Sequence, residues 1–201
     1  MATEFQYNKI ALQGLEKQLT IRLRTLPTLK SKEATLRFEV AKAKKRIFEL
    51  ESKFALKLGL YTDNAAIWPE FKLALLSLAE VRIKTDTIAG IKTPALENIL
   101  FKEDEFSLFN NPGWFPEGIS IIKELVVLAV ERDFFQRKME LLNRARRKTT
   151  QKVNLYEKVQ IPAFEDAIRK IKRFLEDEEN LSKSAQKIIK KRQQHQTILY
   201  G

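Results

Sequence analysis

The sequence predicts a mainly α protein, a long antiparallel two-helix coiled coil formed by N- and C-terminal helices, with a small mixed α/β-hairpin insert in the middle. Three observations predict it. Apolar residues recur in alternating three- and four-residue steps through both ends of the 201-residue chain. Four of its six glycines and four of its six prolines fall between residues 59 and 120, so helix breakers concentrate in the middle. Charge divides the same way: residues 1–58 carry 13 basic and 6 acidic side chains, 59–120 carry 5 and 9, and 121–201 carry 19 and 11. Two basic arms therefore flank an acidic segment, and the domains read as 1–58 for the first coiled-coil helix, 59–120 for the compact insert and 121–201 for the second coiled-coil helix.

In the first arm, eleven of fourteen seam positions from Leu12 to Lys57 are apolar, where the 44% hydrophobic content would place about six. Pro27 deletes one backbone donor and should bend the helix near Leu23. The spacing continues across it, which predicts a kink and not an end.

The middle reads as an Asp63-Asn64 turn, a short helix from Pro69 to Ala79, and strand-like alternation through Val81, Ile83, Thr85 and Thr87 toward Gly90. A second short strand is expected around Glu97 to Phe101. Pro94 and the stretch Asn110 to Gly118 read as loop. Trp68 and Trp114 are expected to be buried, packing with Phe71, Phe106 or Phe109.

The last arm keeps the spacing in two pieces, Ile121 to Tyr156 with eight of eleven seam positions apolar and Phe164 to His195 with seven of ten. The phase slips by one residue between them, where Pro162 sits, so a local distortion is expected there. Two narrow apolar stripes hide best against one another, and the chain reversal makes the pairing antiparallel. If both helices meet the insert at the same height, Leu58 faces Ile121 and Val40 faces Met139. The same register sets Glu33 opposite Arg146 and Arg22 opposite Glu157, turning four charges that interrupt the stripes into two seam pairs that would penalise slipped registers.

Little in the chain suits catalysis. Neither G-x-x-x-x-G-K-[ST] nor G-x-G-x-x-G occurs, so no ATP binding by this chain is expected. The one histidine, His195, has no second imidazole or thiol to join it in a zinc site or a triad, and reads as a solvated tail residue. Glu103-Asp104-Glu105 and Glu176 to Glu179 lack the glycine-punctuated alternation of a calcium loop and read as solvated faces. No catalytic, cofactor-binding or metal residue is expected. The absence of cysteine fits a reducing compartment, and the start of the chain lacks the plan of a secretory signal. Apolar runs such as Leu125 to Val130 stop far short of a span, so a cytoplasmic protein without direct membrane insertion is expected.

Net charge is +11, and the basic runs point to acidic partners. They include Arg144 to Lys148 and a last run of Lys183, Lys187, Lys190, Lys191 and Arg192. A free-standing basic coiled-coil protein binding nucleic acid is the alternative. Against it, no recognition-helix motif or aromatic stacking platform accompanies these runs, and docking onto an acidic protein is favoured.

The stretch TTQKVNLYEKVQIP, Thr149 to Pro162, followed by IRKIKRFLEDEE from Ile168, resembles the D subunit of the V-type and archaeal-type rotary ATPases. Val153, Asn154, Glu157, Ile161 and Pro162 carry that motif. The first arm from Asn8 is similar to the family's first helix, and AGIKTP, Ala89 to Pro94, looks like its Gly-x-x-x-Pro element. The resemblance implies a central rotor shaft without cofactor, attached peripherally to a membrane through its complex. Its implied partners are the catalytic and non-catalytic nucleotide-binding A and B subunits, the small F subunit of the stalk, and the membrane-coupling C/d subunit. The tip carrying Lys183 to Arg192 would then sit deepest in the hexamer.

Overall fold

A computed structural model describes residues 6–62, 68–72, 75–104 and 111–199, with the side chains of Thr62 and of residues 194–199 set aside. The Asp63-Asn64 turn, Glu105, Phe106, Phe109, Asn110 and the His195 side chain lie outside the described residues. Helix α1 spans Lys9–Thr62. Asn8 caps it, accepting the Ala11 amide on its side-chain oxygen at 2.7 Å, a bond that satisfies one of the first-turn donors. The helix runs past Leu58, and Pro27 lies within it without ending it.

The expected helix from Pro69 to Ala79 is instead a 3₁₀ turn, Trp68–Glu70, followed by the start of strand β1, Leu76–Ile88. Strand β2, Ile91–Glu103, pairs with it antiparallel over its whole length. The hairpin turns on Ala89 and Gly90, with φ of 48° and 78°. Left-handed backbone at two consecutive positions is what a tight hairpin turn matching the strand twist requires. Pro94 is no loop residue: it sits inside β2 opposite Thr85. A two-stranded hairpin points half of its amides away from the ladder, so a missing N–H is tolerated on such an edge. Ladder irregularities fall between Leu78 and Glu80 and between Arg82 and Ile83.

Helix α2, Phe115–Leu155, begins inside the stretch read as loop. Pro116 fits the first turn, where no amide donor is needed, and Glu117 favours the positive helix end. A π turn, Tyr156–Gln160, leads into helix α3, Ile161–Leu199. The Ile161 N–H bonds the Tyr156 carbonyl five residues back. This wider turn holds one extra residue at the place where the apolar phase slips. Pro162, next in sequence, has no N–H for the carbonyl four residues earlier and its ring would collide with it.

The chain forms two compact units, Met1–Lys30 with Thr150–Gly201, and Ser31–Thr149. In the second, Leu36, Val40 and Leu142 form a buried cluster, joined by Met139, Ala145 and the hairpin tip residues Ile88, Ala89 and Ile91. Val40 and Met139, opposite one another in the expected register, both belong to this cluster. Near the strand starts, Phe71, Phe115 and Ile119 are buried beneath Trp68 and Trp114. The two indoles meet edge to face at 5.5 Å. Both are half-buried, so the expected aromatic cluster centres on Phe71 and Phe115, whose rings are buried. Gly118 is required here, because a Cβ would lie 2.9 Å from the Trp114 ring. The hairpin therefore runs along the helices from this cluster to its tip: thirteen strand residues cover about 43 Å when fully extended and less when twisted, close to the ~35 Å that α2 rises between Ile119 and Leu142.

In the first unit, Val153, Ile161, Phe164, Ala167, Ile168 and Ile171 are buried on the α2–α3 side. Leu12, Leu15, Leu19, Leu26 and Leu29 of α1 are half-buried, while the residues between these seam positions are mostly exposed.

Candidate functional site

Where the seam of the first unit passes the π turn, Arg22 fills an apolar position with a cation. Its guanidinium lies 4.6 Å over the Phe164 ring and 5.7 Å from the Tyr156 ring, and Nε donates to Gln160 Oε1 at 2.7 Å. Stacking on aromatic faces and one charge-assisted bond suit the planar guanidinium, as an ammonium would not. Glu157 accepts from Lys30 Nζ at 2.6 Å. Arg22 and Glu157 are thus matched to Gln160 and Lys30 rather than to each other, because Glu157 belongs to the π turn itself. In the other unit, Glu33 accepts from Arg37 Nη2 at 2.9 Å, and Arg146 donates to Asn143 Oδ1 at 3.1 and 3.2 Å. Cross-helix ion pairs there include Arg46 to Glu131 at 2.7 Å and Lys57 to Glu124. The hydrogen bond that Arg46 donates to Glu131 raises the Arg46 pKa above its usual value.

Two of the five motif residues are structural: Val153 and Ile161 are buried in the seam. Asn154 and Pro162 are exposed on either side of the π turn that holds Glu157.

The first unit's helix pairing ends with Lys172 bonded to Glu16 at 2.8 Å and Phe174 against the Tyr7 ring, whose centroid is 5.0 Å away. Beyond it, every side chain of α3 from Glu176 to Gln193 is exposed. Leu181, Ile188 and Ile189 are 73%, 54% and 55% exposed, on a helix that carries Lys183, Lys187, Lys190, Lys191 and Arg192. Lys183 bonds Glu179 at 2.7 Å and holds that carboxyl below its usual range. The other four cations form no ion pair among the described residues. Apolar and cationic groups thus share one solvent-facing helix that its own chain leaves uncovered.

A cleft of about 460 Å³ lies between β2 and α2, lined by Leu96, Ile99, Val127 and Phe134 among others. Among the described residues no group of three or more His, Asp or Glu side chains is placed to hold a metal ion, and no helix is long and apolar enough to cross a membrane.

The family model for the D subunit of ATP synthase matches residues 11–191. The D subunit of the V-type ATP synthase of Chlamydia trachomatis serovar L2 is 28% identical over 210 residues, covering 97% of this chain and 99% of its own. That of Borreliella burgdorferi is 30% identical over 191 residues, covering 90% and 93%. That of Chlamydia caviae is 31% identical over 205 residues, covering 96% and 95%. The match runs through both helical arms, the hairpin and most of the exposed stretch of α3, and the chain belongs to the ATP synthase D-subunit family.

Proposed function

We propose that this chain is the central stalk, or rotor shaft, of a V/A-type rotary ATPase, a non-catalytic subunit that transmits torque between the catalytic hexamer and the membrane rotor. The observation that carries the reading is the far part of α3, where an apolar ridge and four cations without ion pairs stand exposed together. Exposed Leu and Ile on a helix need a receptor, and cations beside them favour an acidic one. The hollow of a hexamer built from A and B subunits would supply it. Lys183, Lys187, Lys190, Lys191 and Arg192 form the docking tip, and the insert between the arms stays outside. The F and C/d subunits would engage the rest of the shaft on the membrane side, which makes the protein peripheral to the membrane.

The physical requirement is a stiff, uneven rod. Paired helices resist torsion better than one, and the π turn beside Pro162 with Pro27 in the opposing helix makes the pair locally irregular. Torque then needs only shape and contact, with no group that performs chemistry. Deleting Lys183 to Gly201 in the reconstituted complex tests the reading. Weakened docking and loss of ATP-driven pumping are expected, and undiminished pumping would contradict it.

A further inference from the structure

The hairpin rests on the helices at its two ends and leaves a cleft between them. Ile88, Ala89 and Ile91 at the tip join the Leu36 cluster, and Leu75 and Leu76 at the base join the Phe71 cluster. The cleft of about 460 Å³ lies in the span between, within the ~300–1,000 Å³ of small-molecule sites. Leu96 and Ile99 of β2 and Val127 and Phe134 of α2 give it apolar walls. Its charges are uneven. Asp86 and Glu97 line it from the hairpin and form no ion pair among the described residues, whereas Glu131 is already bonded to Arg46 at 2.7 Å. Asp86 lies across the ladder from the buried Thr93, so the two side chains share a face. Glu97 is the extra residue of a bulge, since Arg82 pairs with Asn98 and Ile83 with Leu96, and a bulge re-aims its side chain out of the strand alternation. Lys138 is the one cation among the described lining residues, and with Arg46 it already stands 5.9 Å from the Phe135 ring. Among the described residues no cation stands over Phe134.

We propose that this cleft binds an amphiphilic organic cation, an ammonium carried on an alkyl or aryl body. Its head would sit toward Asp86, Glu97 and Phe134. Unpaired carboxylates attract the charge, and the negative face of a phenyl ring that holds no other cation receives it, the combination that recognises substituted ammonium ions. The body would displace water along Leu96, Ile99 and Val127. A bare inorganic cation gains nothing from those apolar walls and loses hydration against them. An organic anion would meet two unpaired carboxylates for one Lys138, so like-charge repulsion selects against it. Once bound, the ligand ties the middle of β2 to α2, and occupancy stabilises the hairpin by mass action. All of these residues belong to one compact unit, so the inference does not depend on the stalk reading.

The test titrates the full chain with 4-phenylbutylammonium, followed by amide chemical shifts, with 4-phenylbutyrate and tetramethylammonium as comparisons. Saturating shifts confined to Leu96–Ile99 and Val127–Phe134 are expected, at a Kd about tenfold or more below that of either comparison. The Asp86→Asn, Glu97→Gln double variant should weaken binding by about tenfold or more. Val127→Phe should abolish it by filling the cleft, and Lys138→Ala should leave it unchanged or tighter. If Val127→Phe disturbs the fold, the isosteric double variant decides alone. Shifts that do not saturate, or that spread over acidic side chains elsewhere, would mean an adventitious counter-ion only and overturn the proposal. Equal or tighter binding of 4-phenylbutyrate, or loss of binding in Lys138→Ala, would overturn it by assigning the cleft to anions. Equal binding of tetramethylammonium would overturn the role of the apolar walls and the proposal with it.

Discussion

Leu142 joins the helix seam to the hairpin tip, and replacing it with alanine measures how much that junction contributes. The side chain is 0% exposed and sits among Leu36, Val40, Met139 and Ile91. Removing three carbons forfeits about 2.4 kcal/mol of transfer free energy at ~0.8 kcal/mol each. A residual cavity on the order of 50 Å³ adds roughly 1.2 kcal/mol at ~24 cal/mol per Å³. Leu142→Ala should therefore cost about 3–4 kcal/mol. Both tryptophans, Trp68 and Trp114, belong to the same compact unit, so a urea titration followed by tryptophan fluorescence reports on it directly. Amides at Ile88 to Ile91 should lose exchange protection in the same variant, since their side chains rest on the cluster. Leu141, next in sequence but 43% exposed, is the control, and its alanine variant should cost under about 1 kcal/mol. Equal effects of the two substitutions would refute the placement of the seam.

Three further outcomes are expected. Gly118→Ala should destabilise the aromatic cluster by about 1–3 kcal/mol despite alanine's better helix propensity, because its Cβ would press on Trp114 and Phe71; a stabilised variant in the same fluorescence titration would count against that packing. Arg22→Ala should cost roughly 1–2 kcal/mol and raise amide exchange through the π turn, with Arg22→Lys failing to restore it because an ammonium cannot stack and bond at once. Asp166 and Glu179 are held below their usual carboxylate values by hydrogen bonds from Lys170 and Lys183. Their contribution is thus present above the unfolded-state pKa and is lost as pH falls through the folded one; helix content of α3 measured by amide exchange should be constant at neutral pH and fall only in acid, and a loss on raising the pH from neutral would contradict the pairing.

The helical arms were legible because a seam leaves a long periodic trace. Each position from Leu12 onward repeats one constraint, and a single proline cannot erase it. Even the one-residue phase slip after Tyr156 signalled the π turn. The insert was less legible because pairing decides it. Residues 73–78 read as Leu-Ala-Leu-Leu-Ser-Leu, a run that suits a short helix or a strand equally, and pairing with β2 puts Leu76 to Leu78 in a strand. Pro94 looked like a breaker because the sequence does not say which amides face out of a hairpin. Pro116 reads as loop or as first helical turn depending on what Phe115 packs against, and Phe115 is buried at the centre of the aromatic cluster. For two of the charges on the seam, opposite sign in the expected register did not pick the observed partners: Arg22 bonds Gln160 and lies over Phe164, and Glu157 bonds Lys30.

Rotation of this chain inside the hexamer is the central claim, and a single-molecule measurement tests it directly. The chain has no cysteine, so Ala79→Cys on the exposed part of β1 offers one attachment point for a bead. With the hexamer fixed to a surface through its A subunits, added ATP should turn the bead in one direction for many revolutions. A bead that stays fixed relative to the hexamer while ATP is hydrolysed would contradict the account.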